Sequence, residues 1–413
     1  MLLSVDVIIR FLLYVLIFWL PYSPAVVEVC VVGSLILWIL QKLHIGWCRY
    51  SGKVFTERLL ASLSEVKLSA TPLNFPIMVF LATVLVSIAA SPFWEISLAG
   101  FLTKTMEWFI VYFLCVEVFK KPKHIFIALG IFVFTSFSTA FDGIFQLING
   151  RDIFYGRLLT ENQRLTAAFK TPNALANYLS GIIPLLCSFV LLYKKSRKVW
   201  LFFLAILFVC AGVLMLTYSR GALLGVVIGV VFWGALALRD SQYRRIKKIF
   251  LMALIGVVFM VLMNKGFSTR ADTVGWRLRI WGDTISMIKE RPFFGHGVNT
   301  YMMLFQEYRS DKGSTATYAH NSYLQLATET GLFGLGALLL IFWRTFTSAK
   351  VFMQSSHALA LLSIGLLSGL LSLMIQGLFD NSFYTLQLSV YFWLITGLVM
   401  AAQGILRQDN VKR

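Results

Sequence analysis

Residues 265–328 read KGFSTRADTVGWRLRIWGDTISMIKERPFFGHGVNTYMMLFQEYRSDKGSTATYAHNSYLQLAT, the only long polar passage between two oily ones. It holds eight of the 37 Lys and Arg residues and two of the five His. On either side the chain is built from apolar runs of about 20 residues, the length a helix needs to cross a hydrocarbon layer. At 58% hydrophobic and 14% charged over 413 residues, the composition excludes an ordinary soluble globule. The pattern predicts an all-α polytopic membrane protein with a single integral membrane domain over 1–413. Residues 265–327 form its large external loop, containing short helices, and 147–171 a second one.

The apolar runs place twelve spans at 7–22, 25–41, 76–92, 96–118, 124–146, 172–193, 199–217, 220–238, 248–264, 328–346, 358–378 and 383–403. An even number puts both termini on one side, and basic residues choose which. The connections 42–75, 119–123, 194–198, 239–247, 344–350 and 404–413 hold 22 Lys and Arg, counting Lys248 at a boundary. The short connections at 21–24, 91–95, 218–220 and 379–382 hold one, Arg220. Positive charge stays in the cytoplasm during insertion, so both termini are expected there and the two long loops outside, in a bacterial periplasm or a eukaryotic lumen. The same bias accounts for most of the net charge of +18, so no nucleic-acid partner is expected.

Smaller features fit this frame. The five cysteines show no C-x-x-C spacing, so neither a disulfide nor structural zinc is indicated. The first apolar run lacks a basic n-region and an A-x-A site, which reads as a retained span. KVFTERLLASLSEVKLS (53–69) puts Phe55, Leu59, Leu63 and Val66 on one helical face, either in the headgroup layer or against a neighbouring span. Lys104, Glu107 and Glu117 in the fourth span are costly in hydrocarbon unless paired or near an end; the first two, three residues apart, are placed either to satisfy each other or to form a functional polar path.

The chain has no D-x-D, H-E-x-x-H, P-loop or G-x-S-x-G. Without D-x-D, a diphosphate held outside would have to be met by arginines. Arg220, in LTYSRGALLG, sits where a span meets an outer turn; it is either a phosphate ligand near a helix N-terminus or a snorkelling anchor. In GWRLRIWGD, Trp276 and Ile280 share one helical side and Arg277 and Trp281 another, which makes Arg277 a ligand candidate and Arg279 a further one. Arg164 precedes span six in ENQRLTAAFKTPNALANYL, where Thr171 and Pro172 fit an N-cap and first helical position. Of the histidines, His44, His124 and His357 fall on the cytoplasmic side, and His296, between glycines, fits an exposed turn. His320 opens the segment before span ten with Asn321, Tyr323 and Gln325 close by, and a neutral imidazole there is able to accept a proton from an attacking hydroxyl.

Four passages, in order, resemble the O-antigen ligase and polymerase superfamily of bacterial envelope enzymes: RLTAAFKTPNALANYL, YSRGALLG, the run from Arg277 to Gly297 (R-x-x-x-W, then P-x-x-G-x-G), and HNSYLQLATETGLFGLG. The likeness is close over about 160–340. It implies a bacterial inner-membrane glycosyltransferase that moves a whole glycan from undecaprenyl diphosphate, with inversion and without metal or other cofactor. His320 matches the family's proposed base, and Arg220 and Arg277 match arginines implicated in diphosphate binding; Arg164 is a plausible further ligand and Asn321 another site candidate. The acceptor implied is a lipid A–core sugar for a ligase or a lipid-linked repeat for a polymerase. A length near 400 without a soluble C-terminal domain favours the ligase. A protein O-oligosaccharyltransferase is a third alternative, and a lipid-linked sugar flippase or transporter a rival from another class.

Overall fold

The computed structural model describes residues 2–52, 54–160, 163–239, 271–312 and 316–411. They form helices and no strand among the described residues: α1 (Leu2–Trp19), α2 (Pro24–Arg49), α3 (Phe55–Leu63), α4 (Asn74–Ala90), α5 (Trp94–Val118), α6 (Pro122–Asn149), α7 (Pro172–Leu192), α8 (Arg197–Leu216) and α9 (Arg220–Ala237). Then come α10 (Ala271–Glu290), α11 (Tyr301–Tyr308), α12 (Ser322–Phe346), α13 (Ala349–Met353), α14 (Ala358–Gln376) and α15 (Leu386–Val411). Nine helices among the described residues are long and apolar enough to cross a membrane, and α4 is a shorter apolar one. Ten of the predicted spans fall on these ten helices and the first, 7–22, on α1; the ninth, 248–264, lies outside the described residues. The fold is therefore all-α and polytopic. The polar passage holds one helix longer than expected, α10 with 20 residues, and the short α11.

Helix starts follow local chemistry. The Thr171 hydroxyl accepts from the Ala174 N–H with Pro172 at the first helical position, and Ser23 caps α2 in the same way ahead of Pro24. Helices α7, α9 and α14 pack closely because small residues line their contacts: Ser368 and Ser372 of α14 lie against α9, and a Cβ on Gly369 would clash with the Gly181 carbonyl of α7. Backbones that approach this closely hold the ends of three helices, near Asn173, Arg220 and Gln376, at one end of the bundle. Helix α1 begins and α15 ends at the opposite end, where Arg10 donates to the Val118 carbonyl at 3.2 Å and Lys120 and Arg407 line a common cavity.

The sequence left two readings for α3, and the structure shows the packing against a neighbouring span. Ser62 is buried against Gly46 of α2, while Phe55, Leu60 and Leu63 are exposed. The fourth span differs from expectation. Glu117 accepts from the Ser69 N–H at 2.6 Å and lies 3.7 Å from Lys42, as an acid near a span end should. Lys104 and Glu107, however, do not pair: the helix has a π turn at Phe101–Thr105, and the Lys104 ammonium donates to Asn299 Oδ1 at 2.7 Å instead. An extra residue in the turn rotates Lys104 away from the position that regular helical spacing gives it.

Helix α12 is broken. Gly331 has φ 71° and ψ −179°, which interrupts the intrahelical ladder. Residues 292–297 fill the gap with backbone bonds: His296 N–H to the Thr328 carbonyl at 2.9 Å, Gly297 N–H to the Glu329 carbonyl at 2.9 Å, and Leu332 N–H to the Pro292 carbonyl at 2.8 Å. This satisfies polar backbone that hydrocarbon would not tolerate. A Cβ at Gly331 would collide with the Phe293 carbonyl in a conformation L-residues rarely adopt. Gly331→Ala is therefore expected to destabilise by at least about 2 kcal/mol, whereas Gly336→Ala, with open space around it, is expected to be neutral or slightly stabilising. Thermal melts in detergent check this; equal melting of the two variants would contradict it.

Candidate active site

The loop before α7 is ordered from below. Gln146, near the end of α6, accepts from the Thr166 and Ala167 N–H groups at 2.9 Å each through Oε1, and donates to Thr166 Oγ1 at 2.9 Å. The chain is thereby turned so that Arg164 reaches across to the α8–α9 connection. Its Nε donates to the Thr217 carbonyl at 2.6 Å and its Nη2 to Asn173 Oδ1 at 2.9 Å. Gln376, at the end of α14, donates to the Asn173 carbonyl at 3.1 Å and joins the third helix end to the group.

Arg220 opens α9 just after the buried Ser219. Arg277 comes from α10, whose Ile280, Thr284 and Met287 bury one face against Tyr301 and Phe305. On the neighbouring face Trp281 Nε1 donates to the Ala319 carbonyl at 3.0 Å, which fixes the helix over the start of α12. Arg277, one turn before Trp281, is carried to the same place, as the four-residue spacing predicts.

Arg164, Arg220 and Arg277 line one cavity of about 110 Å³, together with Asn173, Gln376 and Asp380. Burial holds the Arg277 guanidinium below its ordinary pKa; Asp380 opposes this shift and Arg220 adds to it. Its buried Nε has no hydrogen-bond partner, and among the described residues Arg220 makes no hydrogen bond or ion pair. Buried donors without acceptors are rare in folded proteins. Three guanidiniums against one carboxylate leave a surplus of positive charge, which suits an anion with several oxygens.

His320 stands at the edge of this cavity, with Asp380 between. Its Nδ1 lies 3.8 Å from Asp380 Oδ1, and its ring centroid is 5.0 Å from that of Trp276. The backbone there is strained: His320 has φ 50°, in the left-handed region. Bonds from the next residues hold it so. The Ser322 N–H donates to the Gly377 carbonyl and its hydroxyl to the Asp380 carbonyl, at 2.8 Å each.

The remaining candidates lie elsewhere or serve the fold. Arg279 is exposed and outside the cavity. Asn321 is the N-cap of α12, accepting from the Tyr323 and Leu324 N–H groups at 3.0 and 3.1 Å. His296 is not in an exposed turn; it is buried, with Nε2 3.0 Å from the Met287 carbonyl oxygen. His357 caps α14 by accepting from the Leu359 N–H at 3.0 Å. Sequence reading missed Asp380. Counting bases in the short connections passed over acids, and an Asp between the last two spans was the available signal.

A polytopic helical membrane protein with an arginine-lined, surplus-cationic cavity beside an Asp–His pair is the class that fold and site define. Residues 205–339, about a third of the chain, match the family model described as O-antigen ligase. That match supports the superfamily resemblance, and with it a membrane glycosyltransferase of the ligase and polymerase type. It includes Arg220, Arg277 and His320; Arg164 and Asp380 lie outside it. No curated protein matches the chain.

The cap assignment gives a test. Asn321→Ala is expected to cost about 1 kcal/mol of stability and Asn321→Asp much less. Melting temperatures of the two variants decide it; equal losses would remove Asn321 from the cap role.

Proposed function

We propose that the chain transfers a glycan en bloc from undecaprenyl diphosphate to a sugar hydroxyl of lipid A–core. The reaction takes place at the periplasmic face of a bacterial inner membrane, with both termini in the cytoplasm. The carrying observation is the convergence of Arg164, Arg220 and Arg277 on one cavity, with Asp380 and His320 at its edge. The basic bias of the connections supports the orientation.

In this reading the guanidiniums hold the donor diphosphate. The acceptor oxygen attacks the anomeric carbon from the face opposite the leaving group, the bond from that carbon to the phosphate oxygen breaks, and undecaprenyl diphosphate departs. Fixed cations stabilise the charge that grows on the leaving diphosphate, and a preorganised cationic cavity needs no reorganisation to do so. His320 takes the acceptor's proton. Asp380, facing Nδ1, favours the tautomer whose Nε2 is free to act as base and stabilises the imidazolium that forms. The left-handed backbone at His320 holds the imidazole in place before substrate arrives.

Purified protein in nanodiscs, given lipid-linked glycan and lipid A–core, is expected to form conjugate with chelator present. His320→Ala should lower transfer about 10²–10⁴-fold with donor binding retained. Arg220→Ala or Arg277→Ala should weaken donor binding by about tenfold or more. Growth of the lipid-linked glycan in place of lipid A–core conjugate would make the enzyme a polymerase with the same machinery. Full activity in all three variants would refute the site.

A further inference from the structure

A second cavity, of about 220 Å³, lies on the other side of the first turns of α12. It is bounded by α2, the π turn of α5, α12 and the start of α15, with Val298 and Asn299 of the polar passage at its mouth. Its lining is acidic where that of the arginine cavity is basic. Among the described residues Glu28, Glu107 and Glu329 line it, and the one basic residue, Lys104, is already bonded to Asn299. Glu107 is 9% exposed, and its Oε2 has no hydrogen-bond partner. A nearly buried carboxylate left with an open acceptor position points to a donor that arrives with a ligand.

The chemistry of that ligand can be narrowed. Among the described residues no three His, Cys, Asp or Glu side chains are gathered to hold a metal ion. Among the described residues the cavity offers a phosphate or sugar acid one basic side chain against three acidic ones, so an anionic ligand is poorly matched. Hydroxyls and amines meet them well, and Trp108 and Tyr384 offer aromatic walls for the C–H faces of a ring. The cavity is also joined to the catalytic edge. Gln325 donates to Glu329 Oε1 at 3.3 Å, Asn381 donates to Gln325 Oε1, and the Asn381 N–H donates to Asp380 Oδ1 at 2.9 Å.

We infer that this carboxylate-lined cavity binds an uncharged or amino sugar, and that it is a subsite for the acceptor glycan, separate from the diphosphate cavity. The role as acceptor subsite rests on the transfer reading; the sugar-binding chemistry does not. Opposite charges sort the two substrates, the diphosphate to the arginines and the hydroxyl-rich chain to the glutamates.

Saturation-transfer NMR on the full chain in nanodiscs tests this, with N,N′-diacetylchitobiose, glucosamine and glucuronic acid as probes and inorganic pyrophosphate as the probe of the arginine cavity. The first two sugars are expected to bind and glucuronic acid not to. Glu107→Gln should weaken glucosamine binding about tenfold and lessen the discrimination against glucuronic acid, with pyrophosphate binding unchanged. Arg220→Ala should do the reverse. Lys104→Ala, at an exposed position, serves as a second variant: removing the only base should strengthen the preference for glucosamine over glucuronic acid. Absence of sugar binding in protein that binds pyrophosphate would overturn the inference, as would sugar binding indifferent to both Glu107→Gln and Lys104→Ala. Sugar binding without pyrophosphate binding would uphold the cavity's chemistry and count against the transfer reading.

Discussion

Buried backbone must find hydrogen-bond partners, and the break in α12 is where this constraint organises the molecule. Opening the helix at Gly331 frees carbonyl and amide groups inside the bundle, and residues 292–297 supply the partners. That stitching fixes one end of the polar passage to a span. Ser91, whose hydroxyl donates to the His296 carbonyl at 2.6 Å, fixes it to the α4–α5 turn as well. With its end anchored, α10 lies over the start of α12 and carries Arg277 to the place where α7, α9 and α14 bring Arg164, Arg220 and Gln376.

The resulting electrostatics are unusual for a resting protein. Like charges gathered in one cavity repel, and among the described residues lining it only Asp380 stands against the three arginines. Arg164 is held in part by the Thr217 carbonyl and Asn173, neutral groups that fix its direction without cancelling its charge. The close small-residue contacts of α7, α9 and α14 hold the helix ends that gather these charges.

Much of this was legible in the sequence because it depends on periodicity and composition. Apolar runs gave the helices, Thr171–Pro172 gave the start of α7, and the four-residue step from Arg277 to Trp281 gave a shared face. What was not legible depends on contacts between distant segments. Regular spacing put Lys104 beside Glu107, but a π turn, which residue types do not announce, gave Lys104 to Asn299 instead. Asn321 looked chemical because it follows His320, whereas its side-chain Oδ1 is engaged with the two N–H groups that begin a helix. Asp380 needed the fold, since it is far from His320 in sequence and only the α14–α15 turn brings them together.

The joint at Gly331 also has a mechanical meaning. Below it α12 is a rod embedded in the bundle; above it lies a short segment tied to three other parts of the chain. A rod in a bilayer of changing thickness adjusts by tilting. A change of tilt in the lower rod would therefore meet, at this joint, a segment held by its backbone bonds to residues 292–297.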